Sequence, residues 1–210
     1  MADVAIVDYG MGNLRSVEQA LRKVAPSAEI VVTDDADVII KAGRVVFPGQ
    51  GAMPDCMREL DERGLRDAVL LAARTKPFLG ICIGLQMLFE HSNEGDVAGL
   101  GILHGKVVRF PTNMHDAEGN KLKVPHMGWN QVHHGQHPLW SGIEQDARFY
   151  FVHSYYVQPQ DASLVQATSL YPHSFVCAVA LNKLFAVQFH PEKSQTAGLK
   201  LLENFMQWNP

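Results

Sequence analysis

Cys82 lies between two glycines in Gly80-Ile81-Cys82-Ile83-Gly84, where an apolar run over residues 77–81 gives way to a helical pattern. A sharp strand-to-helix turn tolerates little bulk, so glycine flanks let the backbone close while the thiol is pushed out above the sheet. The first N–H groups of the helix would favour thiolate over thiol and could cradle an oxyanion. A lone cysteine in an apolar run is more often core packing, so the motif needs a base to become chemistry.

That base lies far downstream. Residues 184–189 read as a strand running into His190-Pro191-Glu192. If the extended path continues through Pro191, His190 and Glu192 project to the same side, since strand side chains two apart share a face. A carboxylate beside an imidazole holds its tautomer and stabilises the imidazolium formed when it takes a thiol proton. Alone, each is an ordinary surface residue after a strand; with the cysteine, they complete a nucleophile, a base and an orienter.

A third loop, Pro48-Gly49-Gln50-Gly51, closes the apolar strand Arg44–Phe47, and its glycines allow close backbone approach to a ligand. Loops at the carboxyl ends of parallel strands gather around one crevice, where an amide near Gln50 can join that of Ile83 in an oxyanion hole. Asp8-Tyr9-Gly10-Met11-Gly12-Asn13 is glycine-rich between a strand and a helix, yet matches neither phosphate-binding fingerprint. His133, His134 and His137 share a loop with no cysteine and no well-spaced carboxylate, so no metal site is expected.

These loops need a scaffold. Val4–Val7 is a continuous apolar strand, and Leu14, Val17, Leu21 and Val24 recur at helical spacing behind Asn13, a suitable N-cap. Residues 29–33 and 44–47 read as strands, and a helical region over 53–74 leads into the Cys82 strand. The alternation predicts an α/β fold with a doubly wound, mostly parallel central sheet. Beyond residue 100 the chain becomes β-rich, with strands expected at 101–110, 121–124, 129–133, 149–157, 163–168 and 175–181. A final helix over 197–208 carries Leu199, Leu202, Phe205 and Met206 on one face, and residues 113–120 are expected to form an exposed loop.

With 210 residues, 47% of them hydrophobic, the chain suits a single domain over 1–210. A net charge of -4 with scattered Lys and Arg offers no basic stripe for nucleic acid or anionic lipid. The longest apolar stretch, 78–89, is too short to span a bilayer, and the first residues lack a basic leader segment. Three widely spaced cysteines fit a reducing cytoplasm, with Cys56 and Cys177 as packing residues.

With the cysteine elbow, the Pro48 loop and His190-x-Glu192 in this order, the chain resembles the class I (triad) glutamine amidotransferases over essentially its whole length. Within that class, Asp8 to Asn13, Gly80 to Gln86, Val124-Pro125-His126-Met127-Gly128-Trp129-Asn130, Phe151 to Tyr155 and Gln188 to Ser194 are similar to the glutaminase subunits of imidazole glycerol phosphate synthases. The resemblance implies a Cys82 thioester with His190 as proton carrier and Glu192 as its orienter. The oxyanion would be held by Ile83 N–H and an amide at Gly49 or Gln50, and glutamine by Gly51, Gln86, Ser154 and Tyr155. No cofactor or metal is implied. The implied partner is a (β/α)8 cyclase subunit forming a heterodimer, with Asn13, Pro125, Met127, Trp129, Tyr155 and Lys193 at or near the interface and the ammonia exit. Family members commonly carry a small apolar residue where this chain has Gln50, a departure that falls in the loop setting the resting orientation of the second oxyanion amide.

Three other readings compete. Glutaminases of the same class serve anthranilate, aminodeoxychorismate or pyridoxal phosphate synthesis, but the 124–130 segment separates this chain from them. Cysteine hydrolases of the dienelactone type share the elbow, but there the acid precedes the histidine. A non-catalytic binding subunit would keep the fold without turnover, and three intact reactive side chains argue against it.

Overall fold

The computed structural model describes residues 2–116 and 118–210. The first part of the chain runs β1 (Val4–Val7), α1 (Leu14–Val24), β2 (Ile30–Thr33), α2 (Ala36–Lys41), β3 (Arg44–Phe47), α3 (Met53–Glu62), α4 (Arg66–Thr75), β4 (Phe78–Ile81) and α5 (Ile83–Gln86). It continues through β5 (Phe89–Ser92), β6 (Val97–Ala98), β7 (Leu103–Arg109), β8 (His126–Gln131), β9 (His133–His134), β10 (Arg148–His153) and β11 (Tyr155–Pro159). The last elements are β12 (Val165–Leu170), β13 (Ser174–Leu181), β14 (Leu184–Val187) and α6 (Gln195–Gln207).

Strands β2, β1, β3, β4 and β14 lie side by side and all parallel. Every residue of β1, β4 and β14 is buried, as expected of strands covered on both faces. From β14 the sheet continues antiparallel through β13, β11 and β7, then on to β5 and β6, with β12 and β9 branching from β13. Strands β8 and β10 form a separate antiparallel pair.

Helices cover both faces. Alternation splits β1, so that Ala5 and Val7 pack with residues of α2, α3 and α4, such as Ile39, Leu60 and Val69. Val4 and Ile6 pack on the opposite side with Val17 and Leu21 of α1 and Leu201 and Phe205 of α6. This is the doubly wound arrangement expected from the alternating pattern. Local signals start the helices: the Asn13 side chain accepts from Ser16 N–H, and Asp35 accepts from the N–H groups of Asp37 and Val38.

Several elements differ from the sequence expectation. The 53–74 helical region is two helices, interrupted at Gly64. The expected 149–157 strand breaks at Ser154 into β10 and β11, which belong to different sheets. Residues 121–124 form no strand, Lys121 making only an isolated bridge to His115. In α6 the buried face is Gly198, Leu201, Leu202 and Phe205, while Leu199 and Met206 are only partly covered. Part of the 113–120 loop, Ala117, lies outside the described residues; within the rest, Met114 is buried.

Candidate active site

The parallel register assembles the site. Because β4 and β14 pair Ile81 with Val187, the next residues, Cys82 and Gln188, emerge side by side at the carboxyl end of the sheet. Cys82 N–H donates to the Val187 carbonyl at 2.8 Å, and Gln188 Nε2 lies 3.8 Å from the Cys82 sulfur. Pairing of Phe47 with Gly80 delivers the Pro48 to Gly51 loop to the same end.

Cys82 adopts φ +57° and ψ −110°, a conformation L-residues rarely hold. Such a residue costs roughly 1–3 kcal/mol and persists only where its surroundings impose it. Here they do. At Gly84 an added Cβ would lie 2.0 Å from the Phe47 carbonyl oxygen, so only glycine allows α5 to sit this close to β3. The result is a one-turn helix starting directly after the cysteine.

His190 and Glu192 meet, though not along an extended path. Residues Pro191–Lys193 form a 3-10 turn, which folds the carboxylate back so that His190 Nδ1 donates to Glu192 Oε1 at 2.8 Å. Both side chains are almost wholly enclosed, at 3% and 2% exposed. Ser194 pins the turn: its hydroxyl donates to the His190 carbonyl and accepts from Tyr150 N–H at 2.9 Å. His190 N–H in turn donates to the Tyr150 carbonyl.

Burial alone would push the His190 imidazolium down. The adjoining Cys82 sulfur and the Glu192 carboxylate outweigh that cost and raise its pKa to about 10. Nε2, the nitrogen not bonded to Glu192, couples electrostatically to Cys82 but has no aligned hydrogen-bond partner. Such contacts commonly tighten only when substrate binds.

A cavity of about 480 Å³ opens over these groups. Of the residues singled out in the sequence, Gln50, Gly51, Cys82, Ile83, Gln86 and His190 line it, as do Pro125, Ser154, Tyr155 and Lys193. Glu192 is enclosed behind His190. Gly49 packs between the Tyr9 hydroxyl and the Ile83 side chain, which puts the Pro48 loop against the elbow. Gly12 packs against Gly49, so the loop leading to Asn13 borders the same end of the sheet, with Asn13 itself exposed. Met127 and Trp129 stand outside the cavity at 64% and 44% exposed, Trp129 edge-on to the cavity residue Tyr150.

The other histidines of the sequence reading are held locally. His133 pairs with Asp146, His134 donates to the Gly135 carbonyl, and His137 accepts from Leu139 N–H. Cys56 and Cys177 are buried thiols whose pKa values burial pushes up, that of Cys56 to about 11. Cys56 also points its sulfur at the Gln50 carbonyl, 3.8 Å away, beneath the Pro48 loop.

Five residues were not legible as site residues. Gln188 is fully buried and joins Cys82 to Gln86, whose Nε2 donates to Gln188 Oε1 at 3.0 Å and to the Tyr155 carbonyl at 3.2 Å. Glu94 is the one acidic side chain among the described residues that line the cavity. Ser194, Tyr9 and His153 are buried polar residues beside it. A polar side chain in an otherwise apolar run, as in Val187-Gln188-Phe189 just past the end of β14, is the signal that would have marked Gln188.

The comparisons with known proteins fit this geometry. A model of the family Glutamine amidotransferase class-I matches residues 5–208. The imidazole glycerol phosphate synthase subunit HisH of Thiobacillus denitrificans is 69% identical over 210 residues, covering 99% of this chain and 92% of that relative. The corresponding HisH of Nitrosospira multiformis is 66% identical over 212 residues, covering all of both. Among solved structures, a crystal structure of glutamine amidotransferase superposes with a TM-score of 0.73 at 18% identity, covering 98% of this chain and 97% of that one. PurLQS from Thermotoga maritima superposes at 0.69 and 18% identity, covering 99% of each chain, a likeness that speaks to fold alone. By its sequence, its doubly wound sheet and its cysteine elbow, the chain belongs to the class I glutamine amidotransferases, in the branch of imidazole glycerol phosphate synthase HisH subunits.

Proposed function

We propose that this chain, working as one domain over residues 1–210, hydrolyses L-glutamine to glutamate and ammonia through a thioester on Cys82, as the glutaminase subunit of imidazole glycerol phosphate synthase. The observation that carries this reading is Cys82, turned at φ +57° into a cavity that the Glu192-bound His190 also faces.

With its proton already resting on His190 Nε2, the Cys82 sulfur attacks the side-chain carbonyl carbon of glutamine. The Ile83 N–H, first in the short helix, and an amide of the Gly49-Gln50 segment hold the oxyanion that forms. The imidazolium then gives its proton to the departing ammonia, leaving a thioester. Water attacks next, with His190 as base, and a second oxyanion collapses to release glutamate. Glu192 keeps Nδ1–H pointed at itself, so that Nε2 is the nitrogen that trades protons. Glu94 supplies the counter-charge for the ammonium group of glutamine, and Gly51, Gln86 and the backbone at Ser154 and Tyr155 shape the rest of the pocket.

The partner is a (β/α)8 cyclase subunit, which uses the ammonia to make imidazole glycerol phosphate and an aminoimidazole carboxamide ribonucleotide. The relatives' description as a synthase subunit supports this, as do the exposed Met127 and Trp129 beside the cavity residues Pro125 and Lys193. Asn13 and Tyr155 complete the interface. No helix among the described residues is long and apolar enough to cross a membrane. The proposed compartment is the cytoplasm, which three unpaired cysteines suit.

Ammonia release from glutamine, followed with the purified chain alone and with the cyclase plus its nucleotide substrate, tests the reading. Strong stimulation by the partner and loss of activity in Cys82→Ala are expected. Full activity in Cys82→Ala would overturn the mechanism, and high activity without partner the coupling.

A further inference from the structure

Strand β8 has two opposite faces. Met127 and Trp129 point outward, while His126 is buried and Asn130 turns inward beside it. Inward, the polar groups form a continuous line. Asn130 Nδ2 donates to the Leu170 carbonyl and lies 3.3 Å from His126 Nε2. His126 Nδ1 lies 3.0 Å from His153 Nε2, and His153 Nδ1 lies 2.8 Å from the Tyr155 carbonyl. That same carbonyl accepts from Gln86 Nε2, which also bonds Gln188 next to the Cys82 sulfur.

Only one proton arrangement satisfies every atom of this line. The Tyr155 carbonyl can only accept, so His153 Nδ1 carries its proton. Burial drives both rings to the neutral form, with His126 lowered to about 4 and His153 to about 3. His153 Nε2 is therefore an acceptor, His126 Nδ1 its donor, and His126 Nε2 the acceptor for Asn130. Both rings sit in an aromatic cluster, His126 stacked on Tyr171 at 4.0 Å and on Phe151 at 5.1 Å. Phenylalanines would fill that space without desolvating four ring nitrogens.

We infer that His126 and His153 form a positioning relay that ties the outward face of β8 to the backbone and amide groups shaping the glutamine cavity. The strand pair β8–β10 has only two strands, a unit that is marginal by itself, so its place is set by what it is bonded to. A partner seated on Met127 and Trp129 moves the strand that carries His126. Through His153, that shift reaches the Tyr155 carbonyl, Gln86 and Gln188. This inference rests on the proposed glutaminase reading and names how its regulation enters the site.

The experiment uses the full chain with the cyclase subunit and its nucleotide substrate, comparing His126→Phe with His126→Asn. Phe keeps the stack on Tyr171 and Phe151 but removes both hydrogen bonds, whereas Asn restores an N–H donor where Nδ1 stood. The relay expects Phe to lower partner stimulation roughly tenfold, a usual size for coupling between sites, chiefly through the KM for glutamine, and Asn to recover most of it. Normal stimulation in Phe with a defect in Asn would reduce the pair to packing and overturn the relay. Ring-nitrogen NMR of the Cys82→Ala chain gives a readout that needs no catalysis. Both histidines should be neutral with the proton on Nδ1, and any other tautomer overturns the relay even if His126→Phe fails to fold. Absence of glutaminase activity in the wild-type complex would instead count against the functional reading.

Discussion

At residue scale, Cys82 is defined by an unfavourable backbone angle and a crowded set of buried polar neighbours. Cys82 at φ +57° was foreseeable, because its glycine flanks signal a turn that most sequences could not make. The state of His190 was not, since it depends on burial and on two opposing charges. Folding raises its pKa to about 10 from about 6.5 in an unfolded chain. The stabilisation from binding that proton is thus fully present below pH ~6.5, and it fades as pH rises through the folded value. Removing the sulfur in Cys82→Ala should lower the His190 pKa, measured by NMR titration of the ring, and an unchanged value near 10 would show that Cys82 is not its partner. In Glu192→Gln, kcat with the partner should fall about 10²- to 10⁴-fold with little change in KM. Steady-state glutaminase kinetics check this, and a loss confined to KM would assign Glu192 to substrate binding instead.

At the scale of elements, the site depends on how α6 and the 191–193 turn fit together. An added Cβ at Gly198 would lie 2.0 Å from the Pro191 carbonyl oxygen. Glycine to alanine in a helix interior ordinarily stabilises by about 0.5–1 kcal/mol. Here Gly198→Ala should instead destabilise by about 1–3 kcal/mol through overpacking and lower kcat by displacing Glu192. A thermal melt and an activity assay decide it; a raised Tm with normal kcat would mean that the turn yields freely. Most elements of the first half were legible, because buried parallel strands read as unbroken apolar runs and Asn13 caps its helix through a local bond. The break at Ser154 was not legible. Both halves of 149–157 are strand-like, and only their different partners, β8 on one side and β7 and β13 on the other, separate them.

For the whole molecule, the outward face of β8 is the surface on which the proposed partner would sit. Met127 and Trp129 are too exposed to hold the fold together, yet they flank the cavity. Charged replacements, Met127→Glu or Trp129→Glu, should leave Tm within a degree or two while weakening cyclase binding at least about tenfold, a change of ~1.4 kcal/mol. Titration calorimetry with the cyclase and a thermal melt measure the two quantities. Unchanged affinity would move the interface elsewhere.

The sequence by itself determined what is local: a cysteine that must stand on a tight turn, a histidine and a carboxylate two residues apart, and alternating patterns that force a doubly wound sheet. Those outcomes follow from sterics and periodicity within a few residues. Tertiary structure alone decided which groups meet across the chain. The register of β4 with β14 set Gln188 beside Cys82, a 3-10 turn rather than an extended path brought Glu192 onto His190, and the pairing of β8 with β10 joined His126 to His153. These contacts depend on strand pairing between distant segments and on burial, which removes water and makes each polar group seek one particular partner.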